Sequence, residues 1–352
     1  MLRESSLEWS VQEHYPGNTL NVYARDKRPG ENPVNNYLLH PVERKRKQTA
    51  AYVGDSMADH PFVPAEIEAA LGRRYIVGPK IAVGGQGVVF RATRNFRPDG
   101  TAAHDVVALK LNIYPHQEIR VQREITAIEN ISDPSLARLI EHGYCDLDGG
   151  RTRYVAWEFV EGQSLSNRLR IGGRLLDSEV LPIGRDVSAA IAAIWSRRIV
   201  HGDIKPSNIM LRDSGGAVLI DLGAARQSED NTLAARKPFG TWGYFSPEQA
   251  RGEQVTCASD IFSLGVVMLE CLLGRHPTSN HQSGLEEGFR ATNCRLGANS
   301  GLLCMLDKML SERPLFRPNP ADLSRYFQRL QQKMEAESAV GARAPQKAWG
   351  MA

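Results

Sequence analysis

The sequence predicts an α+β fold, in which strands dominate the first part of a globular domain and helices dominate the second. Short apolar stretches interrupted by a glycine-rich turn begin near Tyr75, which is the pattern of successive strands. Apolar residues then recur every three or four positions between Ile183 and Ile194, and again between Leu323 and Leu330, which is the period of an amphipathic helix. A chain of 352 residues is long enough for two lobes with sizeable cores.

The composition is that of an ordinary soluble globular protein, with 42% hydrophobic and 24% charged residues. A formal net charge of +3 is too small to predict nucleic-acid binding. The five cysteines form no CxxC pair, so we expect neither disulfides nor a zinc site, and we expect a cytoplasmic location. The longest apolar run, Ile261 to Leu273, is too short to span a bilayer. No signal peptide is recognisable at the start of the sequence.

We expect residues 1–72 to form an N-terminal extension that is partly disordered, because prolines and mixed charge leave no sustained helical or strand periodicity. One short helix is expected from Pro64 to Leu71, with the proline near its first turn. The basic run from Arg44 to Lys47 is interpreted as a solvated stretch, with a docking or autophosphorylation segment as the alternative. Residues 333–352, rich in alanine, glycine and charge, predict a mobile tail.

The densest polar cluster is the stretch from His201 to Asn208, which holds a carboxylate, an ammonium and an amide within eight residues. A short buried strand, Ala217 to Ile220, follows and ends at Asp221. The Asp221 carboxylate and the Asn208 amide can converge on one hard cation. Asp203 then remains to face a substrate hydroxyl. Phosphoryl transfer requires both roles, because one group must orient the acceptor hydroxyl while others hold the metal-bound phosphates.

The loop resembles the H-R-D-x-K-x-x-N motif of serine/threonine protein kinases, and Asp221-Leu-Gly223 resembles the D-F-G motif that follows it. The resemblance implies a two-lobed protein-kinase-like fold, with a small β-rich N-lobe that carries one helix and a larger, mainly helical C-lobe. It implies a kinase domain over residues 73–332, with the N-lobe at 73–158 and the C-lobe at 163–332. Lys205 would steady the transferred phosphate.

The glycine-rich turn resembles the kinase loop G-x-G-x-x-G-x-V, whose backbone N–H groups point at nucleotide phosphates. Lys110 resembles the lysine that contacts those phosphates, and Glu124 in the next helix resembles its ion-pair partner. Tyr154 to Gly162 resembles the hinge that supplies backbone groups to adenine. The resemblance therefore implies an ATP site formed by Ile81, Gly84, Gly85, Gln86, Gly87, Val89, Ala108, Lys110, Glu158 and Val160. Asn208 and Asp221 would hold Mg²⁺ or Mn²⁺.

A later segment, Gly240 to Glu248, resembles the G-T-x-x-Y-x-x-P-E motif that shapes the peptide-binding ledge of protein kinases. Thr241 would bond to Asp203 and Lys205, an arrangement typical of serine or threonine specificity. Arg317 resembles the buried ion-pair partner of Glu248. Small-molecule kinases lack this ledge.

Two residues depart from the commonest kinase pattern. Ala82 replaces the first glycine of the glycine-rich loop. Gly202 replaces the arginine that normally meets a phosphate on the activation segment, which implies an enzyme that is not switched on in that way. The same replacement favours a bacterial or phage type. It also leaves open a small-molecule phosphotransferase of the aminoglycoside kinase type, and a pseudokinase-type binding scaffold.

The sequence thus predicts an ATP-dependent, non-specific serine/threonine protein kinase whose partners are protein substrates, including the chain itself. It predicts no membrane span and no nucleic-acid partner. It does not identify the substrate, the upstream signal or the oligomeric state.

Overall fold

A computed structural model describes residues 8–11, 22–25, 62–84, 87–97, 99–112, 122, 125–126, 128–129, 131–222, 225–228, 240–277 and 299–343. The chain divides into two compact units, Met1–Pro61 and Phe62–Ala352. In the first unit, strand β1 (Glu8–Val11) pairs antiparallel with strand β2 (Val22–Arg25). The sequence pattern predicted neither strand, because this stretch shows no sustained alternation.

The second unit opens with helix α1 (Pro64–Ala70), which confirms the short helix predicted there. A five-stranded antiparallel sheet follows, with the strand order β3-β4-β5-β7-β6. Its strands are β3 (Tyr75–Gly84), β4 (Gly87–Arg94), β5 (Val106–Asn112), β6 (Leu139–Leu147) and β7 (Gly150–Glu158). Ile67 of α1 and the adjacent Leu71 are buried in the apolar core of this sheet. The small lobe therefore includes part of the predicted extension.

One helical segment lies between β5 and β6, as predicted. Its described residues Gln122, Ile125 and Ile128 have helical backbone, and Ile125 is buried against Val155 of β7. Glu124, the predicted partner of Lys110, lies outside the described residues.

The larger lobe is mainly helical. The helices among its described residues are α2 (Leu165–Gly172), α3 (Asp177–Trp195), α4 (Pro247–Ala250), α5 (Cys257–Leu273), α6 (Ser300–Met309) and α7 (Pro320–Arg343). Helices α3, α5 and α7 share one apolar core. They approach closely at Gly184 of α3, where an added Cβ would lie 2.6 Å from Met268 Cε and 2.9 Å from the Phe327 ring. Helix α7 continues past the predicted domain end at residue 332.

Short strands carry the loops of the larger lobe. Strands β8 (Gly162–Ser164), β10 (Ile209–Arg212) and β11 (Ala217–Leu219) form one sheet, and β9 (Ile199–Val200) pairs with β12 (Arg226–Gln227). This arrangement confirms the predicted two-lobed α+β fold. No helix within the described residues is long and apolar enough to cross a membrane.

Candidate active site

The loop from His201 to Asn208 is fixed to the buried helix α5 by one carboxylate. Asp260 accepts hydrogen bonds from the backbone N–H groups of His201 and Gly202, each at 2.8 Å. Burial raises the pKa of Asp260 to about 7, and the two N–H donors oppose that rise. Helix α5 thus holds the first part of the loop through its backbone.

The His201 side chain connects the loop to the segment that leads to Asp221. Burial lowers the pKa of His201, so its imidazole is neutral. One arrangement satisfies both of its contacts: Nδ1 accepts from the Asp203 N–H at 3.3 Å, and Nε2–H donates to the Ile220 carbonyl at 3.3 Å. His201 therefore links the Asp203 backbone to the Ile220 carbonyl.

Asp203 contacts the side chains of Lys205 and Asn208. Lys205 Nζ is 2.8 Å from Asp203 Oδ2, and Asn208 Nδ2 donates to the Asp203 carbonyl at 2.9 Å. Lys205 Nζ also donates to Thr241 Oγ1 at 2.6 Å. Among the described residues, no hydrogen bond reaches the second carboxylate oxygen, Oδ1. Oδ1 is buried beside the Gly240 segment.

The structure shows one of the two contacts expected for Thr241. Its hydroxyl contacts Lys205, whereas no direct hydrogen bond between Thr241 and Asp203 occurs in the described part of the chain. The adjacent Gly240 has φ +105°, and an added Cβ there would lie 2.4 Å from the Gly202 carbonyl oxygen and 3.5 Å from Asp203 Oδ1. Only glycine lets this segment approach the loop so closely.

The two lobes meet at an ion pair between Lys110 and Asp221. Lys110 on β5 places Nζ 3.0 Å from Asp221 Oδ1. Asp221 has φ +58°, a left-handed conformation that costs free energy in a non-glycine residue. The Ile220 N–H donates to the Asn208 carbonyl at 2.9 Å, which fixes the approach of this segment to the loop.

Asn208 and Asp221 fit a hard divalent cation. They offer an amide oxygen and a carboxylate, which Mg²⁺ and Mn²⁺ prefer. The Asn208 amide nitrogen already donates to Asp203, so its oxygen remains for an ion. Within the described residues, no group of three His, Cys, Asp or Glu side chains could hold a metal by itself. A cation here would take its other ligands from phosphate or water, which is usual for Mg²⁺.

The predicted nucleotide residues lie along β3, β4, β5 and the end of β7. Gly84 pairs with Gly87 across the turn between β3 and β4. Gly87 has φ +154°, and an added Cβ would lie 2.0 Å from the Leu111 carbonyl, so the turn requires glycine. Gly85 and Gln86 lie outside the described residues. The remaining positions are Ile81 on β3, Val89 on β4, Ala108 on β5, Glu158 at the end of β7 and Val160 after it.

The Glu158 side chain is engaged elsewhere in the fold. Its Oε1 accepts from Arg212 Nη2 at 2.8 Å, and its Oε2 accepts from the Arg138 N–H at 3.3 Å. The Glu158 backbone N–H also donates to the Arg138 carbonyl at 2.8 Å.

The segment after Thr241 is anchored by a buried ion pair. Arg317 Nη1 and Nη2 contact the two carboxylate oxygens of Glu248 at 2.6 Å and 2.9 Å, and the Ser259 hydroxyl donates to Glu248 at 2.7 Å. Burial alone would raise the pKa of Glu248, but the hydrogen bonds from Arg317 and Ser259 outweigh burial and lower it. A cavity of about 510 Å³ lies beside this segment, and its lining includes Lys205, Thr241 and Glu270.

One polar residue of the site was not predicted. Gln249, at the third position of α4, is buried and donates from Nε2 to the Gly202 carbonyl at 3.2 Å. The sequence Ser246-Pro-Glu-Gln matches a helix capping box, which would have drawn attention to Gln249. No local sequence pattern predicts the contact of Gln249 with the catalytic loop, which lies 47 residues away along the chain.

The fold has two lobes, and the polar residues of the candidate site come together where those lobes meet. Residues 75–335 match the family model for the protein kinase domain, and the chain belongs to the protein kinase family.

Similar curated proteins are bacterial. A probable serine/threonine-protein kinase of Corynebacterium efficiens is 33% identical over 211 residues, which cover 58% of this chain and 31% of that protein. A probable serine/threonine-protein kinase of Streptomyces coelicolor is 32% identical over 59% of this chain and 31% of its own length. Serine/threonine-protein kinase PknB of Mycobacterium leprae is 31% identical over 59% of this chain and 33% of its own length. The chain thus spans about a third of these relatives.

Proposed function

We propose that this chain is an ATP-dependent kinase that transfers the γ-phosphoryl group to serine and threonine hydroxyls of proteins, including its own. The observation that carries the proposal is the environment of Asp203. One oxygen of this carboxylate is held by Lys205, the other is a buried acceptor without a donor among the described residues, and Lys205 also contacts Thr241. The names of the similar bacterial proteins support the same activity.

In this mechanism each residue of the loop has a separate task. The Asp203 carboxylate accepts a hydrogen bond from the substrate hydroxyl, orients the hydroxyl oxygen and takes up its proton. Lys205 neutralises charge beside the acceptor, and Thr241 holds the Lys205 ammonium in place. Bound Mg-ATP supplies the phosphoryl group, and Asn208 and Asp221 would hold Mg²⁺ or Mn²⁺ beside it.

The nucleotide would lie between the lobes. Lys110, paired with Glu124, would bind its phosphates, and the glycine-rich turn would cover them with backbone N–H groups. The backbone of Glu158 and Val160 would meet the adenine. We place the catalytic domain at residues 73–332, and α1 packs on its small lobe. The intact ledge from Gly240 to Glu248 favours a protein substrate over an aminoglycoside.

Replacing Lys110 by methionine is expected to lower the rate of phosphoryl transfer about 10²-fold, because a preorganised charge partner of the phosphates is lost. We also expect Mg-ATP at millimolar concentration to raise the Tm of the wild-type protein. Both quantities are measured on one preparation, with a generic protein substrate for the rate. The matched control is Lys80→Met, which changes an exposed lysine on β3 of the same sheet and should leave both values unchanged. A wild-type Tm that does not respond to Mg-ATP would instead indicate a binding scaffold.

Phosphorylation of Ser228 or Thr232 is expected to be dispensable. Ser228 is buried, and its hydroxyl donates to the Val255 carbonyl at 3.0 Å, so a modifying enzyme has poor access to it. Thr232 lies outside the described residues. Gly202 offers no guanidinium to a phosphate on this segment. The double variant Ser228→Ala, Thr232→Ala should keep more than half of the wild-type activity, and phosphatase treatment should not silence the enzyme. An enzyme that is inert until either residue is phosphorylated would contradict this expectation.

A further inference from the structure

The carbonyl group between Gly202 and Asp203 has an unusual environment. Gly202 is buried, and its carbonyl oxygen lies beneath Gly240, where an added Cβ would be 2.4 Å away. The donor that reaches this oxygen, among the described residues, is Gln249 Nε2 at 3.2 Å. A buried carbonyl without a donor loses its hydrogen bond to water and gains none in return. Gln249 therefore determines whether this peptide group is satisfied.

The orientation of the Gln249 amide follows from its other contacts. Its Oε1 accepts from the Ser246 N–H and from the Ser246 hydroxyl, both at 3.1 Å. A backbone N–H can only donate, so oxygen must face Ser246 and nitrogen must face Gly202. Gln249 is 2% exposed, and the amide is thus locked between the ledge and the catalytic loop.

The same stretch of loop is held from its other side. Asp260 accepts from the N–H groups of His201 and Gly202, whereas Gln249 donates to the next carbonyl along the chain. The two peptide groups that precede the Asp203 Cα are therefore fixed by buried side chains of α5 and α4. Gly202 has φ +75°, and it has no side chain of its own that could restrain the backbone in this conformation.

We propose that Gln249 is a positioning residue, which orients the Asp203 carboxylate by holding the Gly202 carbonyl and so couples the peptide-binding ledge to the catalytic loop without a phosphate. The inference rests on the proposed function, because it concerns the group that receives the substrate proton. A displacement of about 1 Å at such a group can cost about 10²-fold in rate. The restraint consists of unmodified side chains, which accounts for a loop that is ordered although position 202 is glycine.

The test replaces Gln249 by methionine, which has similar length and no hydrogen to donate. We expect kcat to fall between about 10-fold and 100-fold while the KM for ATP changes less than about twofold, because the nucleotide contacts are elsewhere. The matched control is Gln254→Met, which removes another glutamine Nε2 that donates to a backbone carbonyl, that of Ser228, away from the catalytic loop. The control should keep the wild-type kcat.

A second variant separates positioning from helix capping. The Gln249→Glu substitution keeps an acceptor for the Ser246 N–H, but the ionised carboxylate has no hydrogen for the Gly202 carbonyl. We expect kcat of this variant to be at least about 10-fold below that of wild type at about pH 9, where the carboxylate is ionised. A kcat within about threefold of wild type at this pH would assign Gln249 to capping alone and overturn the proposal.

Hydrogen exchange of the loop provides a readout that needs no activity. In the Gln249→Met protein, the amides of residues 201–205 should exchange faster than in wild type, whereas those of α5 beyond Asp260 should not change. Unchanged loop exchange together with kcat within about threefold of wild type would overturn the proposal. If the wild-type protein transfers no phosphate, the proposed function fails, and the exchange result still decides whether Gln249 holds the loop.

Discussion

Replacing Asp203 by asparagine is expected to lower kcat about 10³-fold, whereas the affinity for Mg-ATP should remain within about threefold of wild type. Asparagine has the shape of aspartate but cannot take up the proton of the substrate hydroxyl. The nucleotide contacts proposed for Lys110 and Asp221 do not involve this side chain. The rate is measured with a generic protein substrate at saturating ATP, and the affinity is measured from the shift of Tm with Mg-ATP.

The control for this variant is Asp213→Asn, which makes the same chemical change at an exposed residue after β10. It should transfer phosphate at the wild-type rate. If Asp203→Asn also works within about threefold of wild type, Asp203 is not the group that accepts the proton. If it loses Mg-ATP binding together with activity, Asp203 instead contributes to the nucleotide site.

Replacing Arg317 by methionine is expected to lower the free energy of unfolding by about 3–5 kcal/mol. The arginine side chain is fully buried, and the substitution leaves the Glu248 carboxylate buried with its two guanidinium hydrogen bonds removed. The loss is measured by urea unfolding of the whole chain. Such a loss is a large fraction of the stability of a typical domain.

A double variant shows whether the loss comes from the unpaired charge. Glu248→Leu combined with Arg317→Met removes both ions and should recover much of the stability, because an apolar pair can replace a buried ion pair at small cost. An Arg317→Met protein within about 1 kcal/mol of wild type would show that Glu248 finds another partner or takes up a proton. A double variant as unstable as the single one would attribute the loss to the other Arg317 contacts, with the carbonyls of Ser311 and Ala258.

The catalytic loop could be predicted because its chemistry is local. The Asp203, Lys205 and Asn208 side chains are fixed by their spacing in one loop, and Pro206 begins the 3₁₀ turn that delivers Asn208 to β10. The placement of Asp221 could also be predicted, since a short buried strand leads directly to it. The chemistry of these residues therefore indicated the reaction class, and their resemblance to a kinase motif indicated the fold.

The contacts between segments that are distant in the sequence were harder to predict. The Lys110–Asp221 pair joins residues 111 positions apart, and only the family resemblance brought both to one site. The contact of Gln249 with Gly202 depends on how α4 packs on the loop. No hydrophobic periodicity in the sequence predicts that packing. The continuation of α7 to Arg343 was missed because its alanines and charges suggested a tail, although alanine and glutamate favour helix.

Transfer of labelled γ-phosphate tests the central claim most directly. The wild-type protein is incubated with γ-labelled ATP and Mg²⁺, alone and with a generic protein substrate, and the labelled residues are mapped. The proposed function predicts label on serine and threonine hydroxyls of the chain and of the substrate, and none in the Asp203→Asn protein. A wild-type protein whose Tm rises with Mg-ATP but which labels no protein residue would contradict it, as would label found on an added aminoglycoside and on no protein.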